Sequence, residues 1–271
     1  MQIELDSPVN PVPRYGHGRP AHAALLEIID RRRDAYHAHL TACLNYTAEF
    51  QRIPCTESFW LNAQLTGLDA VCLYTLLCEL RPEMLIEIGS GHSTLFARRA
   101  IFDHRLPTKL ISIDPRPRTH VDSICDIVLR TPLEDADLSL FDDLAPGDFV
   151  FFDGSHRSFM NSDATVFFLD VFPRLRPGVL VQIHDTYLPF DYPPEMVNRF
   201  YSEQYLLACY LLSGSQGLQV ELPNAFISQD AELRSVLDPI WRLEQMQGVI
   251  PHGVSFWVKT KWPTVGVSTP A

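Results

Sequence analysis

The chain has 271 residues, 46% of them apolar, enough to bury the core of one α/β domain of about 200 residues with an appendage. A formal net charge of -11 offers no broad basic surface for a phosphate backbone, which excludes nucleic acid as a partner. No apolar run approaches the roughly 18 residues of a membrane span, no basic stretch precedes an apolar core at the start, and the six cysteines show no CxxC or zinc spacing. The reading is a cytoplasmic protein without membrane contact, whose cysteines are small buried hydrophobes in a reducing compartment.

Residues 1–20 carry four prolines and no periodicity, which predicts an extended arm. From residue 21 to about 51, Leu25, Ile28, Ile29, Tyr36 and Leu40 recur at helical intervals around the run Asp30-Arg31-Arg32-Arg33-Asp34, read as a solvated helix face. Residues 1–65 therefore form an arm and helical cap, the expected face for a homodimer, and residues 66–271 the main domain. Residues 67–80 form a helix stopped by Pro82. The period then changes: 84–88 is a short apolar run entering Gly89-Ser90-Gly91, the pattern of a buried parallel strand. A helix follows over 93–101, then strands over 109–113, 126–130 and 148–152, a helix over 164–174 and a fifth strand over 179–183. Residues 199–212 return as a helix with Tyr201, Tyr205, Leu206 and Cys209 facing inward. Finally, 218–228 and 254–261 alternate as two last strands around a helical stretch at 231–247. Strands alternating with helices imply right-handed crossovers and a doubly wound α/β sheet, mostly parallel and seven-stranded, with an antiparallel last strand.

In such sheets ligands bind beyond the carboxyl ends of the strands. Gly89 and Gly91 remove side chains where a nucleotide-like ligand meets the backbone, and the following helix aims free N–H groups at it. A dinucleotide turn needs a third glycine, whereas Thr94 stands there and the strand ends in Glu87. The second strand ends in Asp114, a carboxylate placed to accept ribose hydroxyl protons. The fourth delivers Asp153 and His156 to the same edge, the fifth His184 and Asp185. These four groups suit either a divalent metal cluster or metal-free acid/base catalysis by a histidine. The stretch from Thr186 to Glu195, rich in proline and aromatics, reads as a semi-rigid lid near 186–212 whose Tyr187, Phe190 and Tyr192 wall the substrate.

The strand-end Glu87 and glycine turn resemble motif I of class I S-adenosylmethionine-dependent methyltransferases, which have a Rossmann-like fold. DGSH (153–156), LRPGVLVQIHD (175–185) and LPFDYPPE (188–195) are similar to the family 24-like branch that includes macrocin O-methyltransferase-like and cephalosporin hydroxylase-like proteins, and more distantly catechol O-methyltransferase, over residues 66–205. The resemblance implies that Glu87, Gly89, Ser90, Gly91, Ser93, Asp114 and Asp153 contact S-adenosyl-L-methionine, with Pro132 and Leu133 at its adenine. It implies a metal on Asp153, His184 and Asp185. His184 departs from the carboxylate common in metal-dependent members, which admits manganese, iron or zinc as readily as magnesium. His156 lies where catechol-type relatives place their catalytic lysine, which implies a general base. The expected reaction is methyl transfer to a hydroxyl, or less readily an amine, of a small molecule. Two rivals are a non-catalytic S-adenosylmethionine-binding partner protein and a metal-dependent hydroxylase-like enzyme.

Overall fold

The computed structural model describes residues 9–56, 58–214 and 217–262. After the arm come α1 (Ala23–Asp30), α2 (Arg33–Cys43), α3 (Thr47–Arg52) and α4 (Gly67–Leu80). The main sheet follows as β1 (Met84–Ile88), α5 (His92–His104), β2 (Lys109–Ile113), β3 (Ile127–Leu129), β4 (Phe149–Phe152), α6 (Asp163–Val166) and β5 (Leu180–Ile183). The chain closes with α7 (Glu203–Leu212), β6 (Leu218–Pro223), α8 (Asn224–Gln229), α9 (Ala231–Ser235), α10 (Asp238–Trp241) and β7 (Phe256–Thr260). Among the described residues no helix is long and apolar enough to cross a membrane.

The seven strands pair in the order β3-β2-β1-β4-β5-β7-β6. Neighbours from β3 to β5 are parallel, while β7 runs antiparallel to both β5 and β6, so it is the one reversed strand and it enters from the carboxyl edge of the others. This is the predicted mostly parallel sheet with an antiparallel last strand. Strands β4 and β5 are buried at every position, as strands covered by helices on both faces must be. The core on one face is a packed set of phenylalanines, with Phe152 stacked on Phe167 at 4.1 Å and Phe168 edge-on to Phe172 at 5.7 Å.

Three expectations change. The run from Asp30 to Asp34 is not one solvated helix face: it is the break between α1 and α2. Arg33 there donates to Asp230 at 2.8 Å, and Arg32 to the buried Glu221 at 3.2 Å, tying the N-terminal helices to the start of α9 and to β6. In α7 the inward face is Glu203, Gln204, Leu207, Ala208 and Leu211, whereas Tyr205 is 45% exposed and Cys209 is exposed. Cys55 is exposed as well, so only Cys43, Cys72 and Cys78 are fully buried hydrophobes.

One buried carboxylate ties α4 to the site. Asp69 accepts from the Val254 and Ser255 amides at 2.9 and 2.8 Å and from Asn224 at 2.8 Å, at the point where β7 enters. Burial pushes its pKa up, but His184 and these donors outweigh burial and hold it below the ordinary value.

Candidate active site

Strand β1 ends at the glycine turn. Gly89 has a φ of +81° and lies under the Asp153 backbone, so only a residue without Cβ lets β1 and β4 turn out side by side. Behind the turn, both oxygens of the Glu87 carboxylate are taken up by the Ser93 and Thr94 hydroxyls, and the Gly91 amide donates to Thr94 Oγ1 at 2.9 Å. These bonds fix the first turn of α5. Burial raises the Glu87 pKa to about 8, against the downward pull of the two hydroxyls. At the end of β2, Asp114 accepts from the Ser90 amide at 2.8 Å and the Arg116 amide at 2.7 Å, which pins the turn to the neighbouring loop.

Above these loops lies a cavity of about 380 Å³. Gly89, Ser90, Gly91, Ser93, Asp114, Pro132, Leu133 and Asp153 all line it. Glu87 does not: it sits 1% exposed behind the turn. Sequence reasoning missed Gln64, Leu65, Arg118 and Asp163 on the walls. Gln64 and Leu65 precede α4 in a segment without periodicity, and Asp163 serves Ser155, accepting from its amide at 2.6 Å.

Asp153 belongs also to a second group. His156, 6% exposed with a φ of 63°, places Nε2 at 3.2 Å from Asp153 and 3.4 Å from Asp185, and Nδ1 at 2.7 Å from Glu203, a residue of α7 that the sequence reading did not single out. Burial disfavours the imidazolium, but the flanking carboxylates, Glu203 foremost, outweigh it and hold the His156 pKa well above 6.5. His184 is arranged in parallel. Its Nδ1 lies 3.7 Å from Asp153 and 3.6 Å from Asp185, its Nε2 3.6 Å from Asp69. Burial lowers its pKa, and Asp153, Asp69 and Asp185 raise it to about 9. Two imidazoles, each backed by a buried carboxylate from a helix, thus converge on the Asp153–Asp185 pair.

Among the described residues, the donor atoms that come within 4.8 Å of one another belong to Asp153, His156 and Asp185. His184, the expected third member, also turns Nδ1 toward both carboxylates, while its Nε2 lies against Asp69.

The aromatic segment is fastened down. Asp191 accepts from the Arg14 and Tyr15 amides at 2.6 and 3.0 Å, and the Tyr187 amide donates to Gln204 at 2.8 Å. Tyr187 and Tyr192 meet edge to face at 5.7 Å, and Phe190 packs against the arm at Gly16. None of Tyr187, Phe190 and Tyr192 lines the large cavity; Tyr192 lines a second one of about 250 Å³ with Pro11, Pro13, Met196 and Tyr201. The aromatic that touches the acid cluster is Tyr201, whose ring lies 4.4 Å from His156.

Residues 86–186, which run from β1 through the loop after β5, match the family model described as a methyltransferase domain. Over that span the chain is similar to a methyltransferase domain. The cavity and the Asp153 cluster lie largely within that span, with Gln64, Leu65, Asp69, Tyr201 and Glu203 outside it. Among curated proteins none matches the chain. Two solved structures are similar. The methyltransferase PaMTH1 of Podospora anserina, bound to SAH, is 14% identical over 81% of this chain and 88% of that one, with a TM-score of 0.44. Cofactor-bound Rv0187 from MTB is 15% identical over 68% of this chain and 81% of its own, with a TM-score of 0.40.

Proposed function

We propose that the protein transfers a methyl group from S-adenosyl-L-methionine to a hydroxyl, less readily an amine, of a small molecule. The observation that carries this is the double membership of Asp153, which lines the cavity over the glycine turn and also contacts His156 and His184. Donor and acceptor sites meet at one carboxylate.

The cavity fits the cofactor. Its volume of about 380 Å³ falls in the range of small-ligand sites, no atom comes within 4 Å of where a Cβ on Gly91 would project, and α5 opens its N-terminus there. Gly89, Ser90, Gly91 and Ser93 would hold the amino-acid portion, Asp114 the ribose, and Pro132 and Leu133 the adenine, with Glu87 acting through Ser93 and Thr94. The bound cofactor supplies an already reactive sulfonium methyl. Alignment of the acceptor against it contributes most of the rate, and proton removal adds about 10²-fold or more. Because Nδ1 of His156 is committed to Glu203, the acceptor's proton is exchanged at Nε2, the atom that faces Asp153 and Asp185.

A second reading of the cluster rests on the donor set Asp153, His156 and Asp185, which fits a divalent cation: two hard carboxylates and an imidazole suit manganese, iron or zinc as well as magnesium. Such a cation would polarise the acceptor hydroxyl, and His156 Nε2 would then be a ligand in place of a base. Of the finer expectations, a cytoplasmic enzyme and homodimerisation through the N-terminal helices remain part of this proposal.

Calorimetry with S-adenosylhomocysteine should give binding, and His156→Ala should lower turnover about 10²-fold while leaving that affinity near wild type. Equal loss of both overturns the base role. Loss of product on adding a chelator, with recovery on manganese, selects the second reading. Binding without any methylated product selects a non-catalytic partner protein, and a product that gains oxygen in place of methyl selects a hydroxylase.

A further inference from the structure

Tyr201 carries more than His156. The Arg157 guanidinium carbon lies 5.2 Å from the centre of its ring and that of Arg199 5.6 Å, and Arg199 Nη1 donates to the Tyr201 hydroxyl at 3.1 Å. Arg157 is oriented by two backbone carbonyls, its Nε donating to Arg199 and its Nη1 to Ser155, each at 2.9 Å. The hydrogen-bond acceptors that aim both guanidiniums are thus neutral. Among the described residues neither has a carboxylate within ion-pair distance, and Arg157 Nη2 and Arg199 Nε and Nη2 have no acceptor. Arg31, Arg32, Arg33, Arg98, Arg130 and Arg174, by contrast, each have an acidic partner.

Two like charges gathered on one ring repel each other unless something neutralises them. The Asp185 carboxylate acts on Arg199 from beyond ion-pair distance, which leaves the free N–H groups of both guanidiniums open to an anion from outside. We propose that Arg157 and Arg199 form an anion subsite for the acceptor: the small molecule carries an oxyacid group, a carboxylate or phosphate, which the two guanidinium forks bind, with Tyr201 as the ring that gathers them. A guanidinium matches either oxyanion through paired N–H donors. Since the same Tyr201 ring packs 4.4 Å from His156, an anion held there sets the acceptor's reacting hydroxyl near the Asp153 cluster. The assignment rests on the methyl-transfer reading for what the anion belongs to, but not for whether the anion binds.

Calorimetric titration of the full chain without cofactor, using benzoate and phenyl phosphate with benzyl alcohol as the neutral counterpart, tests it. Both anions should bind at least about tenfold more tightly than the alcohol. Arg157→Ala or Arg199→Ala should remove that advantage, the lysine variants should keep part of it, and Arg234→Ala, an exposed arginine away from the site, should leave it intact. Anions no better than benzyl alcohol, or an advantage that survives both alanine variants, overturn the subsite. S-adenosylhomocysteine titrated into the same preparations keeps the two questions apart: failure of that ligand alone removes the methyl-transfer reading and leaves the subsite standing.

Discussion

Replacing Gly89 by alanine should damage the fold itself, and replacing Gly91 only the binding. At Gly89 the φ of +81° costs an L-residue about 1–2 kcal/mol. The new methyl also runs into the Asp153 backbone, with the carbonyl carbon 2.9 Å away, so β1 and β4 must part at a further cost of about 1–3 kcal/mol. The total of about 2–5 kcal/mol is a large share of the 5–15 kcal/mol that holds a typical domain. At Gly91 no atom lies within 4 Å of the added carbon, which projects into the cavity, so stability should change by no more than about 0.5 kcal/mol. Urea unfolding of both variants, with calorimetry of S-adenosylhomocysteine on Gly91→Ala, checks the pair: a large drop in midpoint for the first, an unchanged midpoint with weaker binding for the second. A Gly89→Ala protein as stable as wild type would refute the account of the turn.

Two predictions concern pH. His156 holds its proton to well above pH 6.5, so its neutral form appears only as pH rises through that raised value, and kcat/KM of the metal-free protein should climb on the alkaline side; a profile already flat from pH 6.5 upward contradicts the base role. Glu87 has a pKa of about 8 when folded against 4.5 for the free group, so between those values the folded state holds a proton that the unfolded state lacks, and stability falls as pH rises across that window. Glu87→Gln should lessen that fall, read as the difference in urea midpoint between about pH 5 and pH 8; an unchanged difference rules out Glu87 as its source.

The strands were legible because a buried parallel strand needs an unbroken apolar run and a turn after it: residues 84–88 and 109–113 lie where the pattern placed them. The eight residues expected around the glycine turn and Asp153 share one cavity for the same reason, since each follows a strand end. Glu203 was hidden because a carboxylate in the first turn of a helix ordinarily faces water, and only the fold turns this one toward His156. That His156 joins Asp153 and Asp185 in one compact set of donor atoms was equally out of reach. It depends on Asp185 taking a φ of 49° and on Glu203 arriving from α7 to hold Nδ1 of His156. Arg157 and Arg199 read as ordinary surface charges until Tyr201 brings them together.

The anchoring of the arm on Asp191 has a practical side. Residues Pro11 to Pro13 wall the smaller cavity beside Tyr201, so bulk added at Val12 would sit at the aromatic flank of the Asp153 cluster. The reversed β7 carries the other end of the described chain away: Lys259 pairs with Leu180, where β5 begins, at the rim of the sheet opposite the glycine turn. A fluorophore on the Lys259 side chain would therefore sit on the blind side of the sheet, away from the cavity.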